Sequence, residues 1–197
     1  MGSKERILRQ KEETRSNILK AAREIVKVEG WQGLSMRKIA DKIEYTAPII
    51  YEYFSNKEAI LQELTCKGFG ILTQDLEVAR KEFNDPEQRL EGMWLAYWNF
   101  ALQNKEMYQL MYGVEMTCCA QRNTETDAPY TMISNVIAEL MGENNPKPEV
   151  IKQKYFTFFS VIHGLISINI VGNGLSDEIN KQILKDAITG IIRYIKE

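Results

Sequence analysis

An all-α fold is predicted by three features of this 197-residue sequence. Apolar residues recur along most of the chain at the three- and four-residue spacing of amphipathic helices. No segment shows the sustained apolar–polar alternation and β-branched enrichment that are typical of strands. Proline- and glycine-containing breaks, clearest at residues 144–148 and 172–174, separate the helical stretches. We therefore expect a chain that is helical almost throughout.

The N-terminal part carries the signals of three helices. Apolar residues at helical spacing begin after Thr14, and Gly30 ends this run as a helix C-cap would. Two short helices follow, with Ser35 and Thr46 as their predicted N-caps, and the turn between them contains only residues 44–45. Helices joined this tightly must cross steeply, which is the helix-turn-helix arrangement. The second helix of such a pair can enter the DNA major groove.

Longer helices are predicted in the rest of the chain. Ser55 or Asn56 caps the first of them, Asp85 opens the second, and Asn104 precedes a short one. Further helices are predicted over residues 128–141, 148–171 and 177–195. The uncharged stretch at residues 155–176 contains too many polar residues for a membrane span, so we expect it to be buried in a core or at a subunit interface.

Charge is distributed unevenly along the chain. Residues 1–60 carry 12 Lys and Arg against 9 Asp and Glu, whereas residues 61–197 carry 13 against 18. A basic front end on an acidic protein indicates an anionic partner for that end only. A plain solvated surface explains the same small excess equally well.

The composition predicts no catalytic site, no metal site and no cofactor. There are 3 Cys and 1 His, with no Cys-x-x-Cys spacing. Cys118 and Cys119 are either redox-sensitive thiols or, as their neighbours favour, inert residues at a helix end. The charged first residues lack the apolar run of a signal peptide, so we expect a cytoplasmic protein.

Residues 34–64, LSMRKIADKIEYTAPIIYEYFSNKEAILQEL, resemble the DNA-binding region of the TetR family of bacterial transcriptional regulators. The resemblance covers about residues 12–64. It implies a helix-turn-helix domain over residues 1–56, with the motif at about residues 35–54. A larger helical ligand-binding and dimerisation domain would then span residues 57–197. The turn departs from the family pattern, which usually has Gly followed by Val where this chain has Glu44 and Tyr45.

The resemblance also implies a function: the protein would be a homodimeric repressor that binds a palindromic double-stranded DNA operator. A small, mostly apolar effector would release it from the operator. It implies phosphate contacts by Ser35, Thr46, Tyr51 and Lys57. Arg37 could reach a phosphate or a base edge. Core packing of Tyr51 and plain solvation of Lys57 remain the alternatives. The residues predicted to form the exposed front of the recognition helix, where they suit thymine methyl groups, are Ala47, Pro48 and Ile49.

The C-terminal part resembles a TetR subtype with a Trp-x-x-x-His-Gly signature, although Phe159 stands in the Trp position before His163 and Gly164. Its many aromatic and Met residues favour a ligand pocket over a plain core, which remains the alternative. The predicted pocket residues are Trp94, Tyr97, Trp98, Met107, Tyr108, Met111, Tyr112, Phe159 and His163. The predicted dimer contacts, in the last two helices, are Ile166, Ile170, Leu184, Ile188, Ile191 and Ile192.

Overall fold

The predicted all-α fold is confirmed by a computed structural model, which describes residues 2–113, 124–142, 146–172 and 174–196. Cys118 and Cys119 lie outside the described residues. Within those ranges the chain forms nine α-helices and a 3-10 turn at Trp31–Gly33. The helices are α1 (Ser3–Glu29), α2 (Met36–Lys42), α3 (Ala47–Tyr53), α4 (Lys57–Glu82), α5 (Pro86–Gln103), α6 (Lys105–Tyr112), α7 (Thr124–Met141), α8 (Pro148–Ile170) and α9 (Asp177–Lys196).

Two helices begin earlier than their apolar pattern predicts. Helix α1 begins at Ser3, whereas the pattern begins after Thr14, and α7 begins at Thr124 rather than near residue 128. The added turns of α1 consist mainly of Lys, Arg, Glu and Gln, which are good helix formers. An apolar stripe marks only the buried part of a helix, so it does not report these exposed turns.

The first of two compact units contains α1, α2, α3, the beginning of α4 up to Gly68, and α6 from Glu106 onward. Its hydrophobic core receives nearly or fully buried side chains from all five helices: Ile18, Ile39, Ile50, Ile60 and Leu110. Burying each such side chain stabilises the fold by roughly 1.5–3 kcal/mol. This core therefore fixes the two short helices against α1 and α4.

The second compact unit contains α4 from Phe69, α5, α7, α8 and α9. Helix α5 packs against α7, α8 and α9, and α7 and α8 also pack against each other. The buried side chain of Asn180 joins the end of α8 to the start of α9. Its Nδ2 donates to Asn169 Oδ1 at 2.7 Å and to the Leu175 carbonyl oxygen at 2.9 Å.

The boundary between the units falls inside α4, between Gly68 and Phe69. The first turns of α4 thus belong to the N-terminal core, to which Ile60, Leu61 and Leu64 contribute. The predicted domain boundary between residues 56 and 57 stays a prediction. Among the described residues no helix is long and apolar enough to cross a membrane.

Candidate nucleic-acid interface and ligand site

Helix α2 begins with a side-chain cap that the sequence predicts. Ser35 has an extended backbone, and its Oγ accepts a hydrogen bond from the Lys38 backbone N–H at 3.2 Å. This bond satisfies one of the N–H groups that a helix leaves unpaired at its start. Arg37, in the first turn, is exposed to solvent. The side chain of Ser35 is therefore engaged in capping, while Arg37 is accessible to a partner.

The turn between α2 and α3 forces a non-glycine residue into the left-handed region. Glu44 has a φ of 59°, the one positive φ of a non-glycine residue in the described chain. Two hydrogen bonds close the turn: the Tyr45 N–H donates to the Ala40 carbonyl at 2.9 Å, and the Glu44 N–H donates to Asp41 at 3.4 Å. This is the Schellman arrangement, in which glycine is the usual left-handed residue. Glu44 thus occupies the glycine position of the turn, as the sequence comparison with the family indicates.

Ala47 lies on the side of α3 that faces the core, whereas the prediction placed it on the exposed side. Ala47 is partly buried against the core of the first unit, so placing it on the exposed front was wrong. It lies three residues before the fully buried Ile50, and this spacing puts both on one helix face. Pro48 is exposed, as predicted, whereas Ile49 is partly buried like Ala47 and does not lie on the exposed front. The outward face of α3 is therefore shifted by one residue from the predicted one.

Three residues of this outward face and turn are accessible to DNA. Tyr51 is 56% exposed, so core packing does not hold its ring, and Tyr45 in the turn is 43% exposed. Thr46 is exposed and makes no side-chain cap bond, which leaves its hydroxyl available. Tyr53, by contrast, packs partly against the core.

Two of the residues accessible to DNA were not predicted as contacts: Tyr45 and Glu52. Glu52 is exposed four residues after Pro48, one turn further along the same face. The spacing of the buried residues of α3 could have identified Glu52. The face opposite to these residues begins at Pro48 and continues through Tyr51 and Glu52. A glutamate there can accept a hydrogen bond from the cytosine amino group.

Lys57 does not project freely into solvent. Its Nζ donates to the Gln32 carbonyl oxygen at 3.3 Å and lies 5.8 Å from the centroid of the Trp31 ring. These contacts hold the ammonium group beside the 3-10 turn that precedes α2. An ammonium group has three donor hydrogens, so two remain for other acceptors. Asn56, which caps α4 through the Ala59 N–H at 2.8 Å, fixes the backbone next to it.

Two other lysines of the motif are paired with carboxylates of α1. Lys42 lies 3.0 Å from Glu24, and Lys38 forms an ion pair with Glu29. These exposed pairs contribute little to stability. They do lower the positive charge that α2 presents, and Glu44 and Glu52 lower it further. The helix-turn-helix itself is therefore poor in unpaired positive charge.

Aromatic rings of α5 and α8 form a continuous set in the second unit, which we call the aromatic cluster: Trp94, Tyr97, Tyr155, Phe158, Phe159 and His163. Four of the predicted pocket residues are thus brought together. Phe158 was not among the predicted pocket residues, and Tyr155 was missed, although it lies one helical turn before Phe159. Trp98 is buried on α5. The other predicted pocket residues lie on α6, in the first unit: Met107, Tyr108, Met111 and Tyr112.

Two groups of the aromatic cluster are chemically distinctive. Trp94 is completely buried, and its Nε1–H has no hydrogen-bond partner among the described residues. A buried N–H group usually has one, so an acceptor from water or a ligand would suit this position. His163 stacks on Phe159 at 5.1 Å, and burial lowers the pKa of its imidazole, which is therefore neutral at neutral pH.

A separate groove opens between α4 and α5 in the second unit, with a volume of about 610 Å³. None of the nine predicted pocket residues lines it. Its lining combines apolar side chains, including Phe83 and Leu95, with three carboxylates: Asp75, Glu82 and Glu91. Burial raises the pKa of Asp75.

Comparison with known families agrees with both parts of this architecture. Residues 18–64 match the model of "Bacterial regulatory proteins, tetR family", and residues 90–188 match that of "Tetracyclin repressor-like, C-terminal domain". The two matches together cover more than half of the chain. The chain belongs to the TetR family. It is therefore a DNA-binding transcriptional regulator and not an enzyme.

Relatives of this TetR-family regulator are distant. It is 25% identical over 136 residues to the transcriptional activator FasR of Mycolicibacterium smegmatis, a match that spans 67% of this chain but only 62% of FasR. The regulator UidR of Escherichia coli K12 is 27% identical over 142 residues, or 70% and 69% of the two chains. A protein of unknown function from Rhodococcus sp. RHA1 shares the fold, with a TM-score of 0.79, 23% identity and coverage of 93% and 95%.

The dimer contacts predicted for this regulator need correction. Ile166, Leu184, Ile188 and Ile192 are at most 6% exposed in the single chain, so they are core residues and cannot form a surface for a partner. The reason is that α8 and α9 pack against each other and against α5 and α7 within the same chain, which buries these four side chains. Ile170 and Ile191 are partly buried. Neighbouring apolar residues are exposed instead: Val161, Ile168, Ile179 and Ile183, at 43%, 49%, 49% and 39%.

Proposed function

We propose that this TetR-family protein is a homodimeric repressor that binds a palindromic DNA operator in the cytoplasm and is released by a small, mostly apolar effector. The observation that carries the DNA-binding part is the outward face of α3. Pro48, Tyr51 and Glu52 lie on one face of a helix that a Schellman turn and a buried core hold in place. That is the geometry of a recognition helix.

The proposed roles divide into positioning and reading. Tyr51, Thr46, Arg37 and Lys57 would bind phosphates and so position the protein without reading sequence. Pro48 and Glu52 would contact base edges, with Glu52 accepting from a cytosine amino group. Ser35 contributes through its cap of α2. Ala47 and Ile49 support the helix from its partly buried side.

Fluorescence anisotropy with labelled operator variants tests these roles. Tyr51→Phe should weaken all DNA sequences alike, because the deleted hydroxyl binds a phosphate. Glu52→Gln should change the preferred base at one position of each half-site. Glu82→Gln, which removes one carboxylate far along α4, is the charge-matched control. Uniform weakening by Glu52→Gln, with the base preference unchanged, would contradict the reading role.

Repression is the proposed direction of control, although the relative FasR is named an activator. A promoter–reporter pair in cells with and without the protein distinguishes the two. A repressor lowers expression from a promoter that carries the operator, and loss of the protein raises it. Lower expression after loss of the protein would show activation instead.

The effector is proposed to bind at the aromatic cluster. Support comes from the apolar rings, the neutral imidazole of His163 and the buried Trp94 N–H, since ligand sites combine apolar walls with few polar groups. The neutral fluorophore 1-aminoanthracene is a suitable probe. Saturable binding should be weakened by Phe159→Ala and unaffected by Leu95→Ala in the α4–α5 groove. The reverse pattern would assign the probe to the groove.

Dimerisation is proposed to use the exposed apolar surface of α8 and α9. We define the α8–α9 face by Val161, Gly164 and Ile168 on α8 and by Ile179, Ile183 and Gly190 on α9. Apolar side chains left exposed on two adjacent helices would be buried by the same surface of a second copy. Gly164 and Gly190 have open space where a Cβ would stand, which leaves room for a partner to approach.

A further inference from the structure

We infer that the exposed first turns of α1 form a basic arm that binds DNA phosphates beyond the half-site read by α3. The basic arm is defined as residues 4–11. This inference rests on the proposed DNA-binding function. It assigns a DNA contact to a segment that lies before the region matched by the family model, which begins at residue 18.

The first observation is the exposure of the arm. Every residue from Lys4 to Lys11 is exposed, as are Glu12 and Glu13 after it, and Thr14 is the first buried residue of α1. The eight residues of the arm span about 12 Å of α-helix. The arm therefore extends beyond the packed part of α1, where it can contact another molecule.

The second observation is the charge of the arm. Residues 2–11 carry four cations and one carboxylate, a net charge of +3: Lys4, Arg6, Arg9 and Lys11 against Glu5. Residues 12–60 carry eight Lys and Arg and eight Asp and Glu, a net charge of zero. The entire positive excess of the DNA-binding part thus lies in the arm.

The third observation is that the helix-turn-helix has few unpaired cations, since among its described Lys and Arg residues Arg37 alone is exposed without an ion pair or a hydrogen bond. Lys38 and Lys42 are paired with Glu29 and Glu24, and Lys57 donates to the Gln32 carbonyl oxygen. None of the four cations of the arm forms an ion pair with another described residue. Because cations that neutralise phosphates supply most nonspecific DNA affinity, the arm is the part of this unit best able to supply it.

The arm is also ordered before it meets DNA. Glu5 accepts a hydrogen bond from the Gly2 backbone N–H at 3.0 Å, and the N–H groups of Glu5 and Arg6 donate to the Gly2 carbonyl. A preformed helix loses less conformational entropy on binding than a disordered tail does. Its cations lie on two faces, with Lys4 and Lys11 on one and Arg6 and Arg9 on the other.

Charge-neutralising pairs test the inference and identify the contacting face. One arm variant combines Arg6→Gln with Arg9→Gln. The other combines Lys4→Gln with Lys11→Gln. Glutamine has nearly the helix propensity of Lys and Arg, so α1 should keep its helicity and its stability. Lys181→Gln with Lys185→Gln, on exposed positions of α9, changes the net charge equally and is the matched control.

Operator affinity is measured for the full chain as a function of salt. At least one arm pair should weaken binding roughly threefold to tenfold at low salt. It should also reduce the slope of log K against log salt by about 0.9 for each phosphate that the arm no longer neutralises. Trimming the DNA flanks should weaken binding by the unmodified protein and leave binding by that variant unchanged. The α9 control should behave like the unmodified protein.

Each other result has a definite meaning. If both arm variants match the control while the unmodified protein binds DNA with a steep salt dependence, the arm inference is overturned and the proposed function stands. If the unmodified protein binds no DNA, the proposed function itself fails. If the arm variants change sedimentation but not DNA affinity, the arm contacts protein, through its exposed Ile7 and Leu8, and not DNA.

Discussion

Glu44 combines backbone strain with an unfavourable charge at the turn before α3. A side chain in the left-handed region costs roughly 1–2 kcal/mol, which the extra chain entropy of glycine only partly offsets. We expect Glu44→Gly to stabilise the protein by up to about 1 kcal/mol. Removal of the carboxylate should also raise DNA affinity, because DNA repels it.

Glu44→Gln separates these two effects, since it removes the charge and keeps the side chain at positive φ. It should raise DNA affinity as much as Glu44→Gly does, with no gain in stability. Thermal melting and operator titration of both variants measure this. A stabilised glutamine variant would show that charge, and not backbone conformation, limits the stability of the turn.

His163 predicts a pH dependence of stability. Burial lowers its pKa in the folded state below the unfolded value near 6.5, so the unfolded chain binds the proton more readily. The contribution to stability is complete above about pH 6.5 and is lost as the pH falls toward the folded pKa. His163→Asn should reduce the drop in Tm between about pH 7.5 and pH 5.5. An unchanged drop would mean that the imidazole is equally solvated in both states.

The caps of α2 and α4 were predictable from sequence, whereas the predicted Thr46 cap of α3 does not form and the helix faces were not predictable. Ser35 and Asn56 cap as expected, because a cap depends on residue type and on neighbours three residues away. Ala47 was misplaced because a seven-residue helix contains two turns, and a shift of one residue rotates its outward face by about 100°. The buried side of such a helix is decided by the core that it meets.

At the scale of an element, α4 contains two glycines with opposite surroundings. A Cβ on Gly68 would lie 2.8 Å from Met107 Cγ and 2.7 Å from Met111 Sδ, whereas nothing lies within 4 Å of one on Gly70. Close packing of α6 therefore explains Gly68. Gly70 has no packing reason within the described chain.

We expect Gly70→Ala to stabilise the protein by about 1 kcal/mol through helix propensity. Gly68→Ala has the same propensity gain but must displace two methionines, so it should be less stable than Gly70→Ala by about 1–3 kcal/mol. Urea unfolding of the two single variants measures the difference. Equal stabilisation would mean that the flexible methionine side chains move aside at little cost.

At the scale of the whole molecule, the sequence predicted the helix content and the family but misassigned the apolar surface of α8 and α9. Both helices are rich in Ile, and composition alone does not show which Ile faces its own core. Leu184 and Ile188 are almost completely buried, while Ile179 and Ile183 remain exposed. Only the packing of α9 against α5, α7 and α8 separates the two sets.

Dimerisation through the α8–α9 face is tested by filling one of its glycines. Gly190→Leu should give a folded monomer. The single chain has open space around Gly190, so the leucine fits there, but it would collide with a second copy packed on this face. Gly70→Leu, another helix glycine with open surroundings, is the matched control and should remain dimeric. Sedimentation velocity measures both. A dimeric Gly190→Leu protein would place the interface elsewhere.

The proposed function requires a dimer of this chain that reads DNA through the outward face of α3. Selection of bound duplexes from a fully randomised pool tests it most directly, since no operator has to be assumed. We expect an enriched inverted repeat with half-sites about one helical turn apart. We also expect Glu52→Gln to change one symmetry-related base position in the selected sequences. No enrichment by a folded, dimeric protein, or enrichment that Glu52→Gln leaves unchanged, would contradict it.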